Sequence, residues 1–131
     1  MGGVLRTVRA ITLFVEDLDA TRAFYERAFE ASPIFQDDDS AVFDLANTLV
    51  NLLDVAAAHE LVAPMAVGAA TTGARVQLTV QVDDVDVAAR GLAERGVDLL
   101  NGPVDRPWGV RTAAFADPAG HVWEIAQPLG D

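Results

Sequence analysis

The residue best suited to chemistry in this sequence is a carboxylate near its end, Glu124. It lies in the segment Asp117-Pro118-Ala119-Gly120-His121-Val122-Trp123-Glu124-Ile125, where the Pro and Gly predict a turn and the residues after them predict a β-strand. Because side chains alternate along a strand, Glu124 faces away from Trp123 and Ile125. The sequence alone leaves two interpretations: a solvated edge strand, or a ligand-binding or catalytic group that faces a cavity.

Other catalytic chemistries have little support. Cysteine is absent, which removes disulfides, thiolate metal ligands and Cys nucleophiles. All 9 basic residues are Arg, so Schiff-base chemistry and a P-loop lysine are excluded. The serines are Ser32, before a Pro, and Ser40, in an acidic turn, and neither has a His partner nearby in the sequence.

Composition bounds the class of protein. With 131 residues, 51% of them hydrophobic and 22% charged, the chain is expected to form one soluble globular domain. It has no apolar span of membrane length, and no secretory signal follows Arg6 and Arg9, so we expect a cytoplasmic protein without a membrane partner. The net charge of -11 disfavours nucleic acid and suits a neutral or cationic small molecule, although charge also serves solubility.

The elements that must position Glu124 follow one order twice. In the first half we predict a strand over residues 8–15, a helix capped by Asp17 or Asp19 that ends near residues 30–31, and strands over 33–36, 41–45 and 48–53. Residues 56–67 are predicted as a short helix or a loop, and 68–73 as a connector. In the second half we predict strands over 75–82, 97–100, 110–116 and 121–126, a helix from the Asp83–Asp86 cap to about Arg95 before Gly96, and a loop over 102–109.

The two halves align without gaps. Residues 11–19 match residues 78–86 at an offset of 67 positions, as Ile11 and Leu78 illustrate. The alignment predicts two βαβββ units, each with a half-buried sheet backed by a helix. Two such curved sheets enclose a cleft.

This arrangement resembles the vicinal oxygen chelate superfamily, which includes glyoxalase I, extradiol dioxygenases and bleomycin-resistance proteins. The resemblance is carried by residues 15–19 with Phe24-Tyr25, by residues 82–86, by residues 108–111 and by residues 117–124. It implies an α+β fold of two βαβββ repeats that form a curved mixed sheet with a central cleft. The expected limits are a single domain over 1–131, with repeat one at about 6–54, a connector at about 55–74 and repeat two at about 75–128. It also implies a homodimer, in which a second chain completes the clefts.

Metal-dependent members of that superfamily place ligands at four strand positions. The resemblance carries these positions onto Ala10, Asn51, Gln77 and Glu124, where family enzymes usually have His, Gln or Glu. A catalytic divalent ion needs about three nitrogen or anionic oxygen donors, and this set has one carboxylate and two amides. His59 falls in the connector, and His121 lies on the strand face opposite Glu124. We therefore expect no cofactor, with a divalent metal as the alternative.

Binding of a small organic ligand in the cleft has better support. Alternation predicts these cavity-facing residues: Thr12, Phe14, Asn51, Leu53, Gln77, Thr79 and Glu124. The predicted aromatic contacts are Phe35, Phe43, Trp108 and Phe115, although core packing explains each Phe equally well. Trp108, in a Gly/Pro loop, is typical of a lid. We expect Glu124 to orient a bound ligand or to hydrogen-bond Gln77 or Arg111; in an acid–base role it would act with Gln77 or Thr79.

The leading hypothesis from these residues is a metal-free binding protein of the bleomycin-resistance type, which sequesters a bulky aromatic natural product or antibiotic. The alternative is a glyoxalase-like lyase, isomerase or dioxygenase that uses Glu124 as acid or base, with or without a divalent metal. A third hypothesis is a scaffold that binds no ligand.

Overall fold

Two four-stranded mixed sheets and three α-helices are present in residues 4–130, the part of the chain that the computed structural model describes. The predicted domain limits, residues 1 and 131, lie outside the described residues. The first repeat contains β1 (Ala10–Val15), α1 (Leu18–Phe29), β2 (Phe35–Gln36), β3 (Ser40–Asp44) and β4 (Leu49–Asp54). After α2 (Val55–Val62) and a 3-10 turn (Ala70–Thr72), the second contains β5 (Gln77–Gln81), α3 (Val85–Glu94), β6 (Leu99–Arg106), β7 (Val110–Ala116) and β8 (Val122–Pro128).

The strand order is the same in both sheets. The orders are β1-β4-β3-β2 and β5-β8-β7-β6, with the first pair of each sheet parallel and the other pairs antiparallel. Thr12 lies opposite Asn51 in the first sheet, and Thr79 lies opposite Glu124 in the second. The register therefore agrees with the sequence repeat, and the predicted α+β fold of two βαβββ units is confirmed.

The helices begin at the predicted acidic caps. The Asp17 carboxylate accepts a hydrogen bond from the backbone N–H of Ala20, and the Asp84 carboxylate accepts one from Val87. Asp17, rather than Asp19, is thus the cap of α1. The C-cap of α1 is Glu30, a non-glycine residue with a φ of 50°, and α3 ends at Glu94, two residues before Gly96, whose φ is 81°.

The structure settles one open prediction and corrects another. Residues 55–62 form a helix, α2, which packs against β1 and β4. The predicted loop over 102–109 is mostly strand, because β6 extends to Arg106 and only the turn around Trp108 lies outside the sheet. The prediction was wrong because the register between β6 and β7 shifts around Gly102, so a Gly-Pro pair lies within a strand.

One core joins the two repeats. Helix α1 packs against its own sheet and also against the second sheet, where the rings of Phe29 and Trp123 lie 4.8 Å apart. Tyr25 and Phe43 are 2% and 1% exposed in the same cluster. Within the described residues, no helix has the length and apolar character that a membrane crossing requires.

Candidate functional site

Each sheet has one face in the core and one face that points away from it, here called the open face. On the open face of the first sheet, one line of paired residues crosses the strands and contains Thr12, Asn51, Val42 and Phe35. The corresponding line in the second sheet contains Thr79, Glu124, Ala114 and Asn101. These two lines are called the first row and the second row. The repeat places Asn51 and Glu124 at equivalent positions.

The Glu124 carboxylate is half-buried and held by a neighbour on the open face. Thr79 Oγ1 donates a hydrogen bond of 3.0 Å to Glu124 Oε1. Gln77 shares this face but pairs with Val122 and makes no hydrogen bond to Glu124. The partner of Glu124 is therefore Thr79 instead of the predicted Gln77 or Arg111.

Arg111 does not lie on the open face. Its guanidinium points to the helix side of the second sheet, where Nε and Nη2 donate to the Asp86 carboxylate at 3.1 and 3.0 Å and Nη1 donates to Asp105 at 2.9 Å. These hydrogen bonds raise the pKa of Arg111 and hold the pKa of Asp86 below its usual value. The sequence prediction that placed Arg111 among the ligand-binding residues is corrected by this geometry.

Asn51, the counterpart of Glu124, brings an unused acceptor to the first row. Its Nδ2 lies 3.5 Å from Thr12 Oγ1, a long contact, and its Oδ1 is buried without a hydrogen-bond partner among the described residues. A buried carbonyl oxygen without a donor is uncommon, because its desolvation is not compensated.

The predicted aromatic residues separate into two groups. Phe35 and Trp108 are 55% and 70% exposed, and Phe35 ends the first row. Phe43 and Phe115 are 1% and 2% exposed, and they belong to the core with α1. Both were predicted as ligand contacts, with core packing as the alternative; the structure has the alternative, because their strand positions put them on the helix side.

Phe14 and Leu53 complete the predicted set in the first sheet. They lie opposite each other on the open face at the end where α2 packs, which leaves Leu53 only 7% exposed. Phe14 and Thr12 also line a cavity of about 370 Å³ with Arg75 and His121. The apolar part of this open face is thus concentrated next to α2.

The family's metal positions provide few donors. Ala10 has none, Gln77 and Asn51 have amides, and Glu124 is engaged with Thr79. Among residues 4–130, no three His, Cys, Asp or Glu side chains come together in a way that would hold a metal ion. The residues present therefore fit a catalytic divalent ion poorly.

His121 belongs to a buried structural network instead. Its Nδ1 lies 2.9 Å from Asp117 Oδ2, and its Nε2 lies 3.4 Å from Arg75 Nη2. Because a guanidinium only donates, Nε2 accepts and Nδ1 carries the proton toward Asp117. The same Asp117 oxygen accepts from Tyr25 Oη at 2.7 Å, and Trp123 Nε1 donates to Tyr25 Oη at 2.8 Å.

The network changes the ionisation of its members. Burial acts to raise the pKa of Asp117, but the hydrogen bonds from His121 and Tyr25 outweigh it and lower that pKa. Burial, followed by the nearby Asp117 charge, raises the pKa of the Tyr25 phenol. These groups join α1 to the C-terminal strand and face the core, so their role is structural.

Arg106 is a residue of the open face that the sequence prediction missed. Its Nε donates to Thr112 Oγ1 at 3.0 Å and its Nη2 donates to Asn101 Oδ1 at 3.1 Å. No carboxylate within residues 4–130 lies within 4.0 Å of its guanidinium. The signal in the sequence is the alternation of Val104 and Arg106, which a loop prediction over these residues concealed.

Comparison with known proteins identifies relatives of the whole fold. A sequence profile described as the Glyoxalase/Bleomycin resistance protein/Dioxygenase superfamily matches residues 7–125. An uncharacterized protein of Mycobacterium bovis is 33% identical over 57 residues, which are 44% of this chain and 38% of that protein. The matched segment thus spans less than half of that relative.

Solved structures match over nearly the whole chain. A glyoxalase/bleomycin resistance protein/dioxygenase from Nocardioides has a TM-score of 0.87 at 24% identity, with 98% of this chain and 87% of that one covered. A glyoxalase-related enzyme from Fulvimarina pelagi has a TM-score of 0.79 at 27% identity, with 94% and 88% covered. A lactoylglutathione lyase from Agrobacterium tumefaciens has a TM-score of 0.74 at 22% identity, with 92% of each covered.

Proposed function

The chain belongs to the Glyoxalase/Bleomycin resistance protein/Dioxygenase superfamily, and within it we propose that this member is a metal-free binding protein. Its ligand is a bulky, partly aromatic organic molecule such as a natural product or antibiotic, which it sequesters on the open faces of its sheets. The fold hosts several unrelated functions, so the proposal rests on the residues of the site.

The observation that carries the proposal is the chemistry of the two rows. At the four family metal positions only Glu124 is an anionic donor, and Thr79 already binds one of its oxygens. Beside it the open faces offer an exposed Phe35, a half-buried Val42 and the half-buried side chain of Asn51. Apolar and aromatic surface with a few fixed polar groups favours the binding of a planar organic molecule.

A homodimer is part of the proposal. The open faces are exposed in a single chain: Thr12, Phe35 and Thr79 all remain accessible. A second copy that covers each open face would convert it into an enclosed cleft and exclude water from the ligand. Light scattering at micromolar concentration tests this part, and a monomer at all concentrations would contradict it.

A thermal-shift screen with aromatic antibiotics and divalent metals tests the function. A ligand at about 100 times its Kd adds about 2.7 kcal/mol, which raises the Tm of a domain of this size by roughly 10 °C. Phe35→Ser and Trp108→Ser are expected to reduce the shift, whereas Leu61→Ser, an equally exposed change on α2, is the matched control. Stoichiometric zinc, nickel, manganese or iron bound through Glu124 in the purified protein would contradict the proposal. A screen in which no organic compound shifts the Tm would favour a third hypothesis, that the protein is a scaffold that binds no ligand.

A second candidate is an enzyme in which Glu124 acts as acid or base. The observation in its favour is the Glu124 carboxylate, which lies on the open face with one oxygen held by Thr79 and the other without a recorded hydrogen bond. Glu124→Gln would abolish turnover and leave the Tm nearly unchanged if this candidate holds. Activity retained by this variant would rule out the acid–base role.

A further inference from the structure

We propose that the ligand carries an anionic group that binds Arg106 and a hydrogen-bond-donating or cationic group that binds Glu124. The inference rests on the proposed function, because it assigns the charge pattern of the ligand on the same open face. It gives the second sheet an anion subsite formed by Arg106 and positioned by Thr112. The ligand class that fits is an aromatic zwitterion, such as an aromatic amino acid or a natural product that contains one.

Two hydrogen bonds fix the Arg106 guanidinium on the open face. Thr112 is 0% exposed and lies under the guanidinium, to which it presents Oγ1 as an acceptor at 3.0 Å from Nε. Asn101 holds Nη2 from the side at 3.1 Å. No hydrogen bond is recorded from Nη1 to residues 4–130, so this nitrogen remains available to a ligand. An arginine whose fork is already oriented loses little entropy when it binds a carboxylate or phosphate.

Arg106 differs from the other arginines in its surroundings. Within the described residues, four arginines have a carboxylate within 4.0 Å: Arg22, Arg75, Arg95 and Arg111. Four others are exposed and their guanidinium groups make no hydrogen bond within residues 4–130: Arg6, Arg9, Arg27 and Arg90. Arg106 is half-buried, fixed at two nitrogens and held by neutral acceptors only. Although the chain has 20 acidic residues, no carboxylate in residues 4–130 lies within 4.0 Å of its guanidinium.

Glu124 lies on the same open face, close in register to the residue that holds Arg106. Thr112 and Ala114 are two positions apart on β7, about 7 Å along the strand, and Ala114 is directly opposite Glu124. Ala114 and Ala126, the neighbours of Glu124 and Thr112 in the sheet, add only methyl groups and no charge between them. The open face of the second sheet thus carries both a fixed cation, Arg106, and a fixed anion, Glu124.

The competing explanation for Arg106 is purely structural, since its hydrogen bonds also tie β6 to β7 beside the register shift. That role predicts a loss of stability on substitution and no change in ligand preference. The two explanations therefore differ in selectivity among ligands of different charge.

Four probes that share an indole ring separate these explanations: L-tryptophan (zwitterion), tryptamine (cation), indole-3-acetate (anion) and indole-3-acetamide (neutral). Binding is followed at pH 7.5 and 150 mM NaCl by calorimetry and by amide NMR shifts of β7 and β8. We expect tryptophan to bind most tightly. Arg106→Gln should weaken tryptophan and indole-3-acetate about tenfold and spare tryptamine, whereas Glu124→Gln should weaken tryptophan and tryptamine.

Three further variants control for stability and net charge. Thr112→Val keeps every charge but removes the acceptor that orients Arg106, and it should reduce the preference for tryptophan over tryptamine severalfold. Arg106→Lys keeps the cation and should retain part of the anion preference. Arg90→Gln removes an exposed arginine from α3 and should leave all four affinities unchanged.

Equal affinities of the four probes, with NMR shifts on the open face, would overturn this inference and leave the proposed function standing. An equal effect of Arg106→Gln and Arg90→Gln would overturn it as well. If none of the four probes binds at 10 mM the inference also fails, and the antibiotic screen then decides the proposed function independently.

Discussion

Replacement of Tyr25 by Phe removes one oxygen atom that serves two buried partners, both far from Tyr25 in the sequence. Tyr25 Oη donates to Asp117 at 2.7 Å and accepts from Trp123 Nε1 at 2.8 Å, and the three residues are at most 5% exposed. Without the hydroxyl, the indole N–H has no acceptor. Asp117 keeps its hydrogen bonds from the His121 ring and from two backbone N–H groups.

The magnitude follows from these two losses. A buried donor left unsatisfied costs about 1–3 kcal/mol, and a hydrogen bond to a charged group contributes about 1.5–3 kcal/mol. The remaining donors to Asp117 soften the second loss, and the added apolar character of Phe offsets part of the first. We therefore expect Tyr25→Phe to lower the free energy of unfolding by about 3 kcal/mol, a large share of the 5–15 kcal/mol that is typical of domains.

Urea denaturation followed by tryptophan fluorescence measures this change, with an unchanged m-value as the check that both variants unfold in the same way. Thr72→Val is the matched control, because it removes an exposed hydroxyl that donates to Ala69 at 2.7 Å, and it should cost less than about 1 kcal/mol. A Tyr25→Phe protein within about 0.5 kcal/mol of the wild type would refute the argument that this hydroxyl couples α1 to β8.

Three other outcomes follow from the same contacts. Because folding lowers the pKa of Asp117, its ionised form stabilises the fold above the unfolded pKa of about 3.9, and this contribution is lost as the pH falls through the folded pKa. Asp117→Asn should therefore destabilise the protein at pH 7 and differ less from the wild type at pH 2–3. Denaturation measured across this pH range tests the difference. Gly102→Ala should destabilise by at least about 2 kcal/mol in the same assay, since φ is +83° and a Cβ would lie 2.7 Å from Ala113 Cα. Arg111→Gln should lower the Tm, less so in 1 M NaCl, and leave the ligand shift unchanged, because its ion pairs are on the helix side; a lost ligand shift would contradict that placement.

The repeat was the most informative feature of the sequence. A gap-free match of residues 11–19 to 78–86 was sufficient to predict two βαβββ units. That Asn51 and Glu124 occupy equivalent positions was predicted from the family resemblance, with the turn at residues 46–48 matched to the turn at Gly120. The observed pairing of Thr12 with Asn51 and of Thr79 with Glu124 agrees. Such predictions succeed because strand alternation and helix capping depend on neighbouring residues only.

The direction of individual side chains was harder to predict. Phe43 and Phe115 lie one position away from residues of the open face. A difference of one strand position therefore decides whether each ring contacts a ligand or packs in the core. Arg111, predicted as a possible partner of Glu124, also lies on the helix side, where it binds Asp86 and Asp105. Arg106 was missed because the shifted register at Gly102 depends on how β6 meets β7, which no local pattern reveals.

The two rows show how duplicated sheets have acquired different chemistry at matched positions. Both rows begin with a threonine, Thr12 or Thr79, and continue with a polar residue, Asn51 or Glu124. Beyond these, the first row continues through Val42 to an exposed phenylalanine, whereas the second leads to Asn101, which holds Arg106. One face therefore provides apolar and aromatic contacts and the other provides a pair of opposite charges. Exchange of Asn51 and Glu124 should therefore alter which ligands bind more than how stable the fold is.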